Sequence, residues 1–237
     1  DCRGMWNEFR GGAIDTETLD QVQGELFPSA GHCMVMGTAS TMASITEALG
    51  MMLPGLAAIP APNSKRLRLA EESGRRIVEM VEEGLTPDKI MTREAFENAI
   101  RVLMAVGGST NAVVHLPAIA GRLGIELPLS LFDELSRTTP HITGVRPSGG
   151  NFLMEDLAAA GGIAAVMKEL EPLLNGGAMT ITGKTVTENL AGVKGAQPWQ
   201  EVIHPRENPI APEGGLVILS GSLAPEGAVL KVSAASP

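Results

Sequence analysis

The sequence predicts an α/β chain that is helix-rich for most of its length and turns to β structure only near its end. Three observations carry this. Apolar residues recur at three- and four-residue spacing through successive segments; Thr, Ser, Pro and Gly punctuate the starts and stops of those segments; and from Gly214 onward short apolar runs flank a polar turn. With 237 residues, 44% hydrophobic and 19% charged, the chain can bury a substantial core, and its composition excludes disorder.

Residues 1–15 read as a loop carrying Cys2 and Trp6, followed by a short helix over 16–26 that Pro28 ends. Cys2 has no second ligand nearby and reads as structural. Cys33 lies in a Gly-bounded loop, and a Thr/Ser-rich cap leads into an amphipathic helix with Met42, Ile45, Ala48 and Leu49 at helical spacing. Pro54, Pro60 and Pro62 mark 51–63 as a loop. A long helix follows from Ser64 to Gly84. Leu67, Ala70, Gly74, Ile77, Val78 and Val81 share one face, and Arg/Glu pairs form a solvated face opposite.

Thr86 and Pro87 open a helical turn. Thr92 caps a helix whose inward stripe is Phe96, Ala99, Ile100 and Leu103. After Gly107-Gly108-Ser109-Thr110-Asn111 an apolar helix over 112–123 is expected to kink or restart at Pro117 and close at Gly124, with His115 hydrogen-bonded in the core. Residues 130–137 are helical, 141–147 extended, and 154–174 helical with an interruption at Ala160-Gly161-Gly162-Ile163. Residues 190–213 connect to two strands, 214–219 and 228–232.

A net charge of -9 argues against nucleic acid and anionic membranes as partners, and 3% aromatics with no tyrosine make a poor stacking platform. Two cysteines are too few for a disulfide framework, which points to cytosolic, cytoplasmic thiol chemistry. The apolar runs 102–106 and 112–120 are too short to span a membrane.

Four stretches carry candidate chemistry. Cys33 precedes a helix N-terminus, where unpaired N–H groups and the dipole favour the thiolate; it is either a metal ligand or nucleophile, or a small buried residue. Ser109, Thr110 and Asn111 either cap the following helix or help hold an anion. Glu155 and Asp156 are either metal ligands or acids welcomed in a helix first turn. Residues 176–185 imitate a nucleotide loop, but the pattern needs glycine where Ala178 stands, and that reading is rejected.

The run Gly31-His32-Cys33-Met34-Val35-Met36-Gly37-Thr38-Ala39-Ser40-Thr41-Met42, with Ile59-Pro60-Ala61-Pro62, Ser73-Gly74-Arg75-Arg76, Thr92-Arg93-Glu94-Ala95-Phe96, Gly107-Gly108-Ser109-Thr110-Asn111-Ala112, Met154-Glu155-Asp156 and Gly183-Lys184-Thr185-Val186 in that order, resembles the IlvD/Edd dehydratase family over essentially the whole chain. That family comprises dihydroxy-acid, phosphogluconate and sugar-acid dehydratases. The Gly31 to Met42 run and Ala57-Ala58-Ile59-Pro60-Ala61-Pro62 look closer to the arabinonate/xylonate branch than to the branched-chain amino-acid enzyme. Because family members are much longer and the chain starts at Asp1, it is expected to be an internal fragment, inactive alone.

The resemblance implies the helix-rich part of the family's N-terminal α/β domain, which binds the cluster, over 1–180. A connection over 181–213 and the beginning of a C-terminal β-domain over 214–237 would follow. It also implies an iron-sulfur hydro-lyase that converts a sugar acid or 2,3-dihydroxy acid to a 2-keto acid. In the family three cysteines hold a cluster (2Fe–2S or 4Fe–4S) with one open iron position, magnesium holds the substrate carboxylate and 2-hydroxyl, and a C-terminal serine removes the C2 proton. Only the third cysteine segment, with Cys33, matches here; neither the first cysteine motif nor the Cys-Asp-Lys motif occurs, so no magnesium ligand or catalytic base is assigned in this chain. His32 and Thr38 are candidate donors to cluster sulfur by adjacency. A small anionic hydroxy acid and a second copy of the chain, as a homo-oligomer, are the implied partners. Two competing readings are a non-catalytic helical interaction module on the same scaffold and a cysteine-nucleophile enzyme with His32 as base.

Overall fold

The structure, a computed structural model, describes residues 2–26 and 30–235. The chain divides into two units, residues 1–31 and 32–237.

In the first unit α1 (Cys2–Arg10) packs on α2 (Thr16–Glu25). Helix α1 stands where the sequence reads as a loop. Trp6 and Phe9, one turn apart, meet edge to face with ring centroids 5.8 Å apart, so this short segment carries a stabilising side-chain pair of its own. The Cys2 side chain and Pro28, the expected helix stop, lie outside the described residues. Asp15 caps α2, accepting the Thr18 N–H at 2.8 Å.

The second unit is built on α6 (Arg93–Ala105), against which α3 (Thr38–Ala48), α7 (Ala112–Gly121), α8 (Leu129–Arg137) and α10 (Gly162–Leu170) pack. Thr92 caps α6 as expected, accepting the Ala95 N–H at 3.4 Å. From Asn98 to Ala105 every residue except Arg101 is buried. Phe96, Ile100 and Leu103 enter one core with Leu116 and Phe132, while Val102 and Ala105 enter a second with Ile163 and Val166. Asn98 is tolerated at this depth because its amide brackets the Asn175 peptide, accepting the N–H at 2.7 Å and donating to the carbonyl at 3.1 Å.

Helix α4 (Ser64–Glu83) ends at Gly84 in the left-handed conformation, φ 63°, and Arg75 pairs with Glu71 one turn away. Its apolar stripe, however, faces out: Leu67 is 74% exposed and Val81 76%. Pro87 opens α5 (Pro87–Ile90) as expected. Helix α7 runs through Pro117 as one element rather than restarting there, and the turn that follows it reaches Gly124 at φ 72°.

Helix α9 (Met154–Ala159) and α10 are separated at Gly161, φ 116°, and a 3-10 turn over Glu171–Leu173 completes the interrupted helix the sequence predicts. Asp156 accepts the Leu153 N–H at 2.7 Å, so it serves the helix start rather than a metal. Thr185 and Glu188 form a reciprocal cap on α11 (Val186–Leu190), which accounts for Gly183-Lys184-Thr185 without a nucleotide.

The extended stretch from His141 bridges Ala211, Ile203 and Phe152 through His141, Thr143 and Val145, tying the 190–213 connection to the core. Strands β1 (Val217–Gly221) and β2 (Ala224–Leu230) pair antiparallel, Val217 opposite Leu230 and Gly221 opposite Ala224, and β1 lies against α8. The hairpin is tighter than the predicted strands, because β2 accepts Pro225 on an edge where no ladder donor is required. Among the described residues no helix is long and apolar enough to cross a membrane.

Candidate functional site

The Cys33 loop is fixed by bonds on its far side. Met34 accepts the N–H of Met154 at 2.8 Å, and Met36 donates its N–H to the Arg146 carbonyl at 2.7 Å while its side chain is buried in the core. The Val35 carbonyl accepts from the hydroxyl of Ser40 at 2.9 Å. Three segments therefore hold residues 34–36, and the thiol of Cys33 itself is free and exposed. That removes the buried-cysteine reading.

His32 is placed by the same serine. Its Nδ1 lies 2.9 Å from the Cys33 carbonyl and 3.3 Å from Ser40 Oγ. Since the Ser40 proton is committed to Val35, both contacts require the His32 hydrogen on Nδ1, which leaves Nε2 as the uncommitted nitrogen. His32 is thereby oriented by backbone and Ser40.

Gly37 is the N-cap of α3 and offers no side-chain cap, so the Thr/Ser run is not a cap as expected. It is a polar face turned to the Gly107–Asn111 turn. Ser40, Thr41 and Ser44 are all buried. Thr41 Oγ1 accepts the Ser109 N–H at 2.9 Å; Thr38 Oγ1 meets Ser109 Oγ at 3.0 Å and accepts from Asn111 Nδ2 at 2.8 Å. Glycine is needed here: a Cβ on Gly108 would come 2.6 Å from Leu103 Cδ1 and 2.7 Å from Thr41 Cγ2.

Asn111 is the N-cap of α7, but its side chain reaches Thr38 rather than capping, so the expected capping role fails. Ser109 Oγ accepts the Asn111 N–H at 3.3 Å, and Thr110 contributes its carbonyl to Val113 N–H. The structure thus brings Thr38, Ser109 and Asn111 together through side chains, and Thr110 through its backbone only. These donors are engaged with one another.

His115 is exposed, contrary to the core position expected, and lines a surface depression with Met42 and Met91. The helical period set its spacing but not which side its neighbours cover. Among the described residues no three His, Cys, Asp or Glu side chains gather as a metal-holding group. Cys33 fits a cluster held from several segments: one free thiol, on a backbone already fixed.

Four buried polar residues escaped the sequence reading. Ser40 and Thr41 carry the loop-to-loop bonds, and their only signal is their place on a face otherwise read as cap. Glu47, deep on α3, accepts the N–H groups of Gly55 and Ala57 at 2.7 and 2.9 Å, and burial pushes its pKa up. His141 is 2% exposed with Nε2 unpartnered; burial, then the charge of Lys231, pushes its pKa down to about 4.

Residues 1–189 match the family model for the dihydroxy-acid/6-phosphogluconate dehydratase N-terminal domain, and 201–237 that for the C-terminal domain. The dihydroxy-acid dehydratase of Ignicoccus hospitalis is 54% identical over 221 residues, 92% of this chain and 40% of the relative. That of Methanococcoides burtonii is 53% identical, covering 94% of this chain and 40% of the relative. That of Sulfolobus acidocaldarius is 47% identical, covering 95% and 41%. The chain spans about two fifths of the length of these curated relatives. All three relatives carry the name dihydroxy-acid dehydratase, and none of them is named for a sugar acid.

Proposed function

The chain belongs to the dihydroxy-acid/6-phosphogluconate dehydratase family, and we propose that it is part of a hydro-lyase that removes water from a 2,3-dihydroxy acid to give a 2-keto acid. The observation that carries this is Cys33, a free exposed thiol on a loop whose following residues are held by three separate segments. Cys33 would supply one thiolate of the iron-sulfur cluster. When bound, such a cluster supplies a Lewis-acid iron for the departing 3-hydroxyl. Ser40 holds the loop, His32 presents Nε2 beside it, and the Thr38, Ser109 and Asn111 side chains tie the start of α3 to the start of α7, where the Thr110 carbonyl accepts the Val113 N–H.

The magnesium of the family would be held outside these residues. The substrate is a small anionic hydroxy acid, a dihydroxy acid of the branched-chain type in preference to an aldonate. The protein is read as a cytoplasmic homo-oligomer that binds neither nucleic acid nor membrane. Its parts are a cluster-binding domain over 1–180, a connection over 181–213, and the opening of a β-domain over 214–237.

Iron and acid-labile sulfide content, with the visible spectrum, test this on anaerobically prepared full-length protein and its Cys33→Ser variant. The wild type is expected to hold a cluster that the variant loses, and to release more 2-keto acid from a branched-chain dihydroxy acid than from arabinonate or xylonate. Equal cluster content in both proteins removes Cys33 as a ligand. Absence of iron and of any 2-keto acid product leaves the interaction-module reading.

A further inference from the structure

The ring of His32 is exposed, yet one of its two nitrogens is already engaged. Nδ1 lies 2.9 Å from the carbonyl oxygen of Cys33 and 3.3 Å from Ser40 Oγ. A carbonyl oxygen can only accept. Ser40 is 1% exposed and its hydroxyl donates to the Val35 carbonyl at 2.9 Å, so the oxygen it turns to His32 accepts as well. Two acceptors converging on Nδ1 place the ring hydrogen there. The opposite tautomer would set a nitrogen lone pair against the Cys33 carbonyl and take the Ser40 proton away from Val35. The neutral ring therefore presents a lone pair at Nε2 and no hydrogen.

That tautomer reverses the role adjacency suggests for His32. Thiolate and sulfide are acceptors, and a lone pair at Nε2 has no hydrogen to give them. A substrate carboxylate has none to give to Nε2. On a 2,3-dihydroxy acid only the two hydroxyls can donate. We propose that His32 Nε2 accepts the hydrogen of the substrate's 3-hydroxyl, and so admits the hydroxylated end of the substrate beside Cys33 while turning its carboxylate away. The 3-hydroxyl is chosen over the 2-hydroxyl because it is the group that departs at the site Cys33 serves; the assignment to that extent rests on the dehydratase reading. Ser40 touches no substrate. It is the positioning residue: anchored on Val35, it holds the imidazole against the Cys33 peptide with Nε2 outward.

Calorimetric titration of anaerobically prepared full-length protein and its His32→Ala and His32→Gln variants tests this, with 3-hydroxy-3-methylbutanoate and 2-hydroxy-3-methylbutanoate as probes. Each acid carries one of the two hydroxyls, so neither can lose water to give a 2-keto acid, and binding is read without turnover. His32→Ala is expected to weaken the 3-hydroxy acid by about tenfold and to leave the 2-hydroxy acid within about twofold of the wild type. His32→Gln, whose amide oxygen accepts, is expected to recover part of that loss. Iron and acid-labile sulfide should match the wild type in both variants. An equal change for the two acids, or none for either, overturns the assignment, since a merely structural role would not separate the two hydroxyls. Iron lost from His32→Ala with Cys33 intact also overturns it and makes Nε2 a ligand. A wild type that holds no iron is a failure of a different kind: it removes the dehydratase reading, and the assignment with it.

Discussion

Helices α4 and α6 carry the same kind of message in sequence, an apolar stripe at helical spacing beside a charged face, and the fold treats them in opposite ways. Helix α6 is sunk between two cores from Asn98 to Ala105, while α4 leaves Leu67, Ile77, Val78 and Val81 in solvent. Periodicity reports that a face is apolar. What covers that face is set by the rest of the molecule. The two helices should therefore differ sharply in what a substitution costs, and the sharpest contrast comes from the deepest residue.

Phe96→Ala, at the centre of the core shared by α3, α6, α7 and α8, is expected to cost about 3–5 kcal/mol in urea unfolding, because the cavity it leaves is walled by packed helices. A loss below about 1 kcal/mol would mean that α6 is not the element the unit is built on.

The next effect lies just past the C-terminal end of α6. A Cβ on Gly107 would stand 2.9 Å from His141 Nε2, so the imidazole is wedged under the turn. Its pKa is depressed from 6.5 to about 4 by burial and then by Lys231. The folded state therefore binds the proton less readily than the unfolded chain. The stabilisation is complete above pH 6.5 and is lost as pH falls through 4, by on the order of 3 kcal/mol in total. His141→Leu is expected to flatten the unfolding curve over that window; an unchanged pH dependence would remove His141 as its source.

How far the sequence could be read divides along the same line. The ends of α4, α5, α6 and α11 were legible because Gly84, Pro87, Thr92 and Thr185 act on their own neighbours. The position of Cys33 ahead of α3 was legible for the same reason. Helix α1 was not, because its Trp6–Phe9 pair is a single contact in nine residues. Nor was the union of Thr38 and Thr41 with Ser109 and Asn111, which joins residues about seventy apart through hydroxyls that look locally like caps. His115 and the α4 stripe were expected to face inward on period alone.

Ser40 tests the long-range part at a smaller scale. Ser40→Ala leaves the Val35 carbonyl without its buried donor and removes one of the two contacts of His32 Nδ1, at a cost of about 1–2 kcal/mol. Faster hydrogen exchange at residues 34–36, without change in α4, is the expected readout. Unchanged exchange there would show that the bonds from Met154 and to Arg146 hold the loop unaided.

The smallest effect is the one that defines the comparison. Ile77→Ala removes as many buried carbons as a core substitution would if the α4 stripe were packed within the chain. Ile77 is 55% exposed, and its neighbour Val81 is more so. Ile77→Ala is expected to change unfolding by less than about 0.5 kcal/mol, helped by the higher helix propensity of alanine. A cost of several kcal/mol would place the stripe inside the fold and erase the difference between α4 and α6.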